Sequence, residues 1–207
     1  MKLYHSRLTW AALPVIALFM AGCQLVPERT PVAFYDLPSQ PLEPAPDSST
    51  RVDTTVRLAT PYASGLLDGA RIVVVPEPNR PQVYEGARWV DGMPQLLRDR
   101  LLDAFQDDGR LSRMVSADSG VAVDMELLSD LRIFHSEYRN GHPEAVIRLD
   151  VRLVDARSQR LVASQRFLHS QRAESAAIVD VVNAFGVASD SLAQELVDWT
   201  VLQTLND

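Results

Sequence analysis

The chain has one cysteine, Cys23, and after Lys2 it has no lysine. A single thiol excludes an internal disulfide framework and a cysteine metal cluster, so stability must come from burying apolar surface. The nine glycines are scattered, with no phosphate-cradling run, no nucleophile-elbow pattern and no zinc-protease helix motif. No apolar run reaches the ~20 residues of a stable membrane-spanning helix. Basic charge is also scarce. With Lys2 and Arg7 set aside, eighteen basic residues face 27 acidic ones, a balance of about −9. That is the wrong sign for a phosphate-binding stripe, so nucleic acid is not an expected partner.

What is present begins with an address. Lys2 and Arg7 form a positive n-region, and about thirteen mostly apolar residues from 8 to 20 have the length of a secretory h-region. Phe19-Met20-Ala21-Gly22-Cys23 closes the run with two small residues directly before the cysteine. This is a lipobox-like site, with Met20 where leucine is commoner. The expectation is a signal peptide over 1–22, lipidation at Cys23 and a mature chain that begins there.

Residues 24–50 hold six prolines and end in Asp47-Ser48-Ser49-Thr50. Such composition favours extended chain and reads as a spacer, about 80 Å long at ~3.1 Å per residue. Val32-Ala33-Phe34-Tyr35-Asp36-Leu37 is the exception within it, a short strand candidate able to pin the spacer to the domain. A folded domain is expected over 51–207. Val52, Thr54, Val56 and Leu58 alternate with polar residues at the strand period. Arg71-Ile72-Val73-Val74-Val75, bounded by Gly69 and Pro76, has the unbroken apolar character of a strand buried on both faces and is the expected sheet centre. Pro76, Pro78 and Pro81 predict an irregular connection.

From Pro94, Leu97, Leu101 and Phe105 recur at helical spacing until Gly109. Residues 112–117 then predict a strand that returns parallel to 71–76. Val123 to Ile133, Ile147 to Leu153 and Leu161 to Phe167 alternate as a three-stranded antiparallel meander with one wet face, joined at Asn140-Gly141-His142-Pro143 and Asp155-Ala156-Arg157-Ser158. Ile178, Val181, Val182, Phe185, Leu192, Leu196 and Trp199 predict a long C-terminal helix across the sheet, with Gly186 a point where it can kink. The fold class is mixed α+β, one domain with a mixed sheet, one strand-helix-strand crossover, a meander and that helix.

Chemistry is sparse. His135, His142 and His169 can meet across adjacent strands, but no carboxylate cluster completes a ligand set at recognisable spacing, so no metal is expected. No catalytic residue, cofactor or enzymatic activity is expected. Tyr84-Glu85-Gly86-Ala87-Arg88-Trp89-Val90-Asp91 stands out as an aromatic-rich loop between the central strand and the first helix. Tyr, Trp and Arg are enriched in interface hot spots, and the same aromatics can equally cover the core. Tyr84, Arg88 and Trp89 are the candidate partner-binding residues, with Trp89 mostly buried and Tyr84 and Arg88 in contact.

Leu66 to Val75, then Tyr84 with Gly86-Ala87-Arg88-Trp89, then Pro94-Gln95-Leu96-Leu97 resemble in order and spacing the ABC-type transport auxiliary lipoproteins, the PqiC-like group. Val83 departs from the pattern, which has a second tyrosine beside Tyr84. The resemblance implies a non-enzymatic component of a lipid transport system. Its partners would be an MCE-domain protein that forms a periplasmic conduit, a permease and an ATPase, and it could assemble as a homo-oligomeric ring. Gln24, where aspartate would retain an enterobacterial lipoprotein at the inner membrane, favours the periplasmic face of the outer membrane. The alternative is a general envelope-assembly adaptor resembling the TolB N-terminal domain. A lipid-processing enzyme ranks below both for want of a nucleophile and base.

Overall fold

A strand of 15 residues, β6 (Met125–Arg139), is the spine of an eight-stranded mixed sheet. In the computed structural model, which describes residues 31–44 and 51–206, β7 (His142–Asp155) pairs antiparallel with β6 over its whole length. The other edge of β6 is shared. β2 (Val56–Leu58) lies parallel to residues 125–127, and β3 (Arg71–Val75) lies parallel to residues 136–137. β4 (Gln82–Trp89) folds back on β3, and β1 (Ala33–Tyr35) adds parallel to β4 as the sheet's end. On that same side of β6, β5 (Met114–Ser116) adds to β2, while on the far side β8 (Leu161–Arg172) pairs with β7 and forms the opposite end.

Two helices cover one face. α1 (Met93–Asp108) starts with Pro94 in its first turn, where the missing N–H costs nothing, and stops at Gly109, whose φ of 73° closes the last turn with an N–H to the Phe105 carbonyl. α2 (Ile178–Asn206) runs 29 residues and packs on β7, β8 and α1. Thr200 and Thr204 are buried in it, their hydroxyls donating to the carbonyls of Leu196 and Thr200. Arg110 joins the helices by donating to Asp108 and Asp198, and those carboxylates raise its pKa. No helix among the described residues is long and apolar enough to cross a membrane.

The meander, the central position of β3, both helices and the mixed α+β class are as the sequence predicts. The first hairpin turn places Asn140 at φ 50° and Gly141 at φ 78°, the two positive values of a type I′ turn. The second is built by Asp155, which accepts from the N–H groups of Arg157 and Ser158 and is thereby held below the usual carboxylate range. The wet face is a charged ladder. Asp150 accepts from Arg148 and Arg166, whose guanidiniums hold it at a pKa of about 2, and has Arg132 at 3.6 Å.

Three expectations need correction. β5 is parallel to β3 in sense, but its neighbour is β2. β2 takes the stretch of β6 edge at residues 125–127 and β3 the stretch at 136–137, so β5 joins β2 and not β3. Residues 82–89 are a strand rather than a loop. The compact unit starts at Val32 instead of Arg51. Its first segment is pinned by β1, by buried Leu37 and by a strap over the helices. Gln40 donates to Asp190 and accepts from Arg100, Arg100 donates to Asp190 at 2.7 Å, and the Leu42 N–H donates to Asp107. The expected signal peptide over 1–22, the expected lipidation site at Cys23 and residues 24–30 and 45–50 lie outside the described residues.

α2 is continuous through Gly186, and the glycine serves close approach. A Cβ there would sit 2.7 Å from the Pro38 carbonyl oxygen and 2.9 Å from its Cβ. Gly186→Ala gains about 1 kcal/mol of helix propensity, while overpacking costs roughly 1–3 kcal/mol. The strap should therefore lift from α2, seen as faster hydrogen exchange at the Gln40 N–H with little change in melting temperature. The Asp150 contribution has a pH signature. Its folded pKa is depressed, so its stabilisation is present above the unfolded value of ~3.9 and lost as pH falls through about 2. Asp150→Asn should flatten that part of the acid limb of a stability profile and leave the rest unchanged.

Candidate partner-binding site

β4 owes its course to a large bulge. Arg71 is opposite Arg88 and Val73 is opposite Val83, so residues 84–87 of β4 stand against Ile72 alone. Gly86 takes φ 69° within this stretch, a conformation glycine adopts without Cβ strain. The bulge changes the face each side chain occupies. Tyr84 and Trp89 both pack against the helix-covered core, whereas Arg88 is exposed.

Trp89 is 1% exposed and meets two rings at near right angles, Phe134 at 6.0 Å and Phe185 at 5.7 Å. Phe134 and Phe185 stack at 4.7 Å. The core side of the expectation thus describes Trp89. Tyr84 is half-buried, its hydroxyl 2.9 Å from the hydroxyl of fully buried Ser136, and burial raises its pKa. Tyr84 and Arg88, paired in the sequence reading, are therefore divided between the two faces.

Arg88 has strand partners on both sides, Phe34 on β1 and Arg71 on β3. Both were missed by sequence reasoning. Phe34 lies in the strand candidate within the spacer and Arg71 in the Gly69-Ala70-Arg71 motif, so the available signal was the strand alternation around each. The histidines do not converge. His135 is half-buried 3.5 Å from Glu137, with burial lowering its pKa. His169 lies 2.8 Å from Glu195 of α2, and His142 is exposed at the start of β7. Among the described residues no three His, Cys, Asp or Glu side chains are placed to hold a metal ion. An open groove of about 480 Å³ beside the strap is lined by Asp36, Asp91, Asp99 and Asp103, with Arg100 committed to Asp190. The arrangement offers a charged sheet edge.

The family described as ABC-type transport auxiliary lipoprotein component matches residues 35–197, a span that runs from β1 into the last third of α2. The chain belongs to this family. It is 31% identical over 170 residues to an uncharacterized protein of Bradyrhizobium diazoefficiens, an alignment covering 81% of this chain and 44% of that one. The chain therefore spans less than half the length of the curated relative it matches. A Xanthomonas campestris protein of known crystal structure is 30% identical with a TM-score of 0.77, covering 84% of this chain and 98% of the other. A second crystal structure, of an uncharacterized protein, is 16% identical with a TM-score of 0.64 and shows the fold alone.

Trp89→Ala should cost about 3–5 kcal/mol, the usual loss for emptying a buried aromatic site, and show as a large fall in melting temperature. Tyr84→Phe leaves the buried Ser136 hydroxyl without its partner and should cost ~1 kcal/mol. A folded Trp89→Ala with an unchanged melting temperature would contradict the core placement.

Proposed function

We propose that this chain is a non-enzymatic lipoprotein of an MCE/ABC-type lipid transport system, anchored through Cys23 in the outer membrane. Its folded unit docks from the periplasmic face onto the MCE conduit. The family match over residues 35–197 carries the reading, since the family is an auxiliary component of ABC-type transport. The lipobox at Cys23 and Gln24 after it support the anchor and its membrane.

Arg88 is the partner-contacting residue in this reading. It is exposed, projects from a strand held on both sides, and its planar guanidinium can donate two parallel hydrogen bonds to a carboxylate. Tyr84 supports the strand from beneath, and Trp89 locks it to the core. The docked assembly is read as a ring of several copies around the conduit's end.

Cys23→Ser should leave an unprocessed precursor that no longer fractionates with the outer membrane. Normal processing and fractionation of that variant would defeat the anchor. Arg88→Ala should weaken capture of the MCE protein by roughly 2 kcal/mol, the size of an interface hot spot, with an unchanged melting temperature. Purification of the acylated protein with Tol components and no MCE protein would replace the conduit reading with that of an assembly adaptor.

A further inference from the structure

We infer that Phe34, Arg71 and Arg88 form a docking row for an acidic, extended segment of a protein partner, which adds as a strand beside β1. The inference rests on the role proposed for Arg88 and supplies the partner's chemistry. Phe34 is the register partner of Arg88 across β1 and β4, and Arg88 is the register partner of Arg71 across β4 and β3. Register partners share a face, so the three side chains form one row on the sheet, away from the helices that cover Ile72 and Trp89. All three are exposed, Phe34 at 65%.

The row is electrostatically incomplete. Directly opposed residues of an antiparallel pair hold their Cβ atoms ~5 Å apart, and like charges there are destabilising. Eleven other arginines have a carboxylate within 4.0 Å, including every arginine of the Asp150 cluster on the meander. Arg71, Arg88, Arg51, Arg157 and Arg172 have no such ion pair among the described residues, and of these Arg71 and Arg88 are set directly opposite each other, in a chain where 27 acidic residues outnumber 20 basic ones. Two guanidiniums fixed side by side by a strand ladder present parallel donors to carboxylates supplied from outside.

The sheet edge selects a protein segment over a lipid headgroup. β1 is the end of the sheet, and its outer edge has no strand partner among the described residues. It is three residues long and flanked by Pro31 and Pro38, which limits accidental pairing to a short register. An added strand would exchange backbone hydrogen bonds there, a recognition mode no headgroup can use. Strands are ~4.8 Å apart, so an acidic side chain on the new strand lies about 10 Å from β4, a gap the extended Arg88 arm and the carboxylate arm can span together, while Arg71 on β3, about 14 Å away, adds positive field beside Arg88. The Phe34 ring lies between them and offers apolar area to the side chain beside it.

The full-length acylated protein with Phe34→p-benzoylphenylalanine, photolysed in cells and mapped by mass spectrometry, tests the row. The expected adduct is to one segment of one protein, rich in Asp or Glu. It should fall at least tenfold in the Arg71→Glu, Arg88→Glu double variant and return when the segment's acids are changed to lysine. An adduct to lipid, to a second copy, to residues 24–30 of the same chain or to a segment without carboxylates overturns the inference. So does an adduct that the double variant leaves intact, or no adduct at all. Arg71→Gln and Arg88→Gln should melt at the wild-type temperature or slightly above, because each relieves repulsion; a clear fall would assign these arginines a structural role instead. An acidic segment of an envelope protein other than an MCE protein would uphold the row while ending the conduit reading.

Discussion

The stack of Phe134 on Phe185, with the edge of Trp89 against both, joins three elements that are distant in sequence. It draws β6, α2 and β4 onto one point, and the irregular features of the fold are the local changes that let each ring reach it. On β6, Leu131 pairs with Leu149 but Ile133 pairs with Arg148, so Arg132 is an extra residue. Inward positions therefore pass from odd numbers (Met125, Leu127, Ser129, Leu131) to even ones (Phe134, Ser136), while Arg132 is left on the wet face near Asp150. On β4 the bulge around Gly86 turns both Tyr84 and Trp89 inward. On α2 the residue after Phe185 is Gly186, whose missing side chain admits the strap at Pro38. Each irregularity costs local regularity, which burial of three large aromatic surfaces offsets at ~25 cal/mol per Å².

This explains which parts of the fold were legible. α1 carries its own punctuation in Pro94 and Gly109, the meander carries alternation and an Asn-Gly turn, and α2 carries 29 residues of helical apolar spacing. These are local signals, and the structure agrees with them. β4 was unreadable as a strand because its bulge destroys the period of two on which recognition of a strand depends. β5 was readable as a strand, but its neighbour was not, since three residues cannot specify which edge they join. The segment from Val32 to Leu42 looked like spacer because its ties are all remote: β1 to β4, Gln40 to Arg100 and Asp190, Leu42 to Asp107. Only the short apolar run around Phe34 hinted otherwise.

The candidate site was legible in part for the same reason. Arg88 and Trp89 stand out by residue type, but their opposite orientations follow from the bulge, and the neighbours of Arg88 follow from pairings with β1 and β3 across 54 and 17 residues of chain. Arginine content alone does not distinguish a binding residue here. Arg148 and Arg166 share Asp150, Arg152 reaches Asp130, and Arg110 ties α1 to α2. A guanidinium whose charge is met within its own sheet offers a partner little; one set against another guanidinium offers more.

Moving the start of the folded unit from Arg51 to Val32 also changes the reach of the chain. A spacer over residues 24–50 would extend about 80 Å at ~3.1 Å per residue, whereas any eight residues of extended chain reach only about 25 Å. If Cys23 carries the lipid, β1 begins within that shorter contour length of the bilayer, and the strap that follows is fixed to α1 and α2 by Arg100 and Asp190. The sheet edge bearing Phe34 and Arg88 is then the part of the folded unit nearest in sequence to the anchor. A partner arriving at the membrane surface would meet that edge within a narrow range of heights, and a short tether raises the local concentration of one binding surface for another whenever its length matches the span.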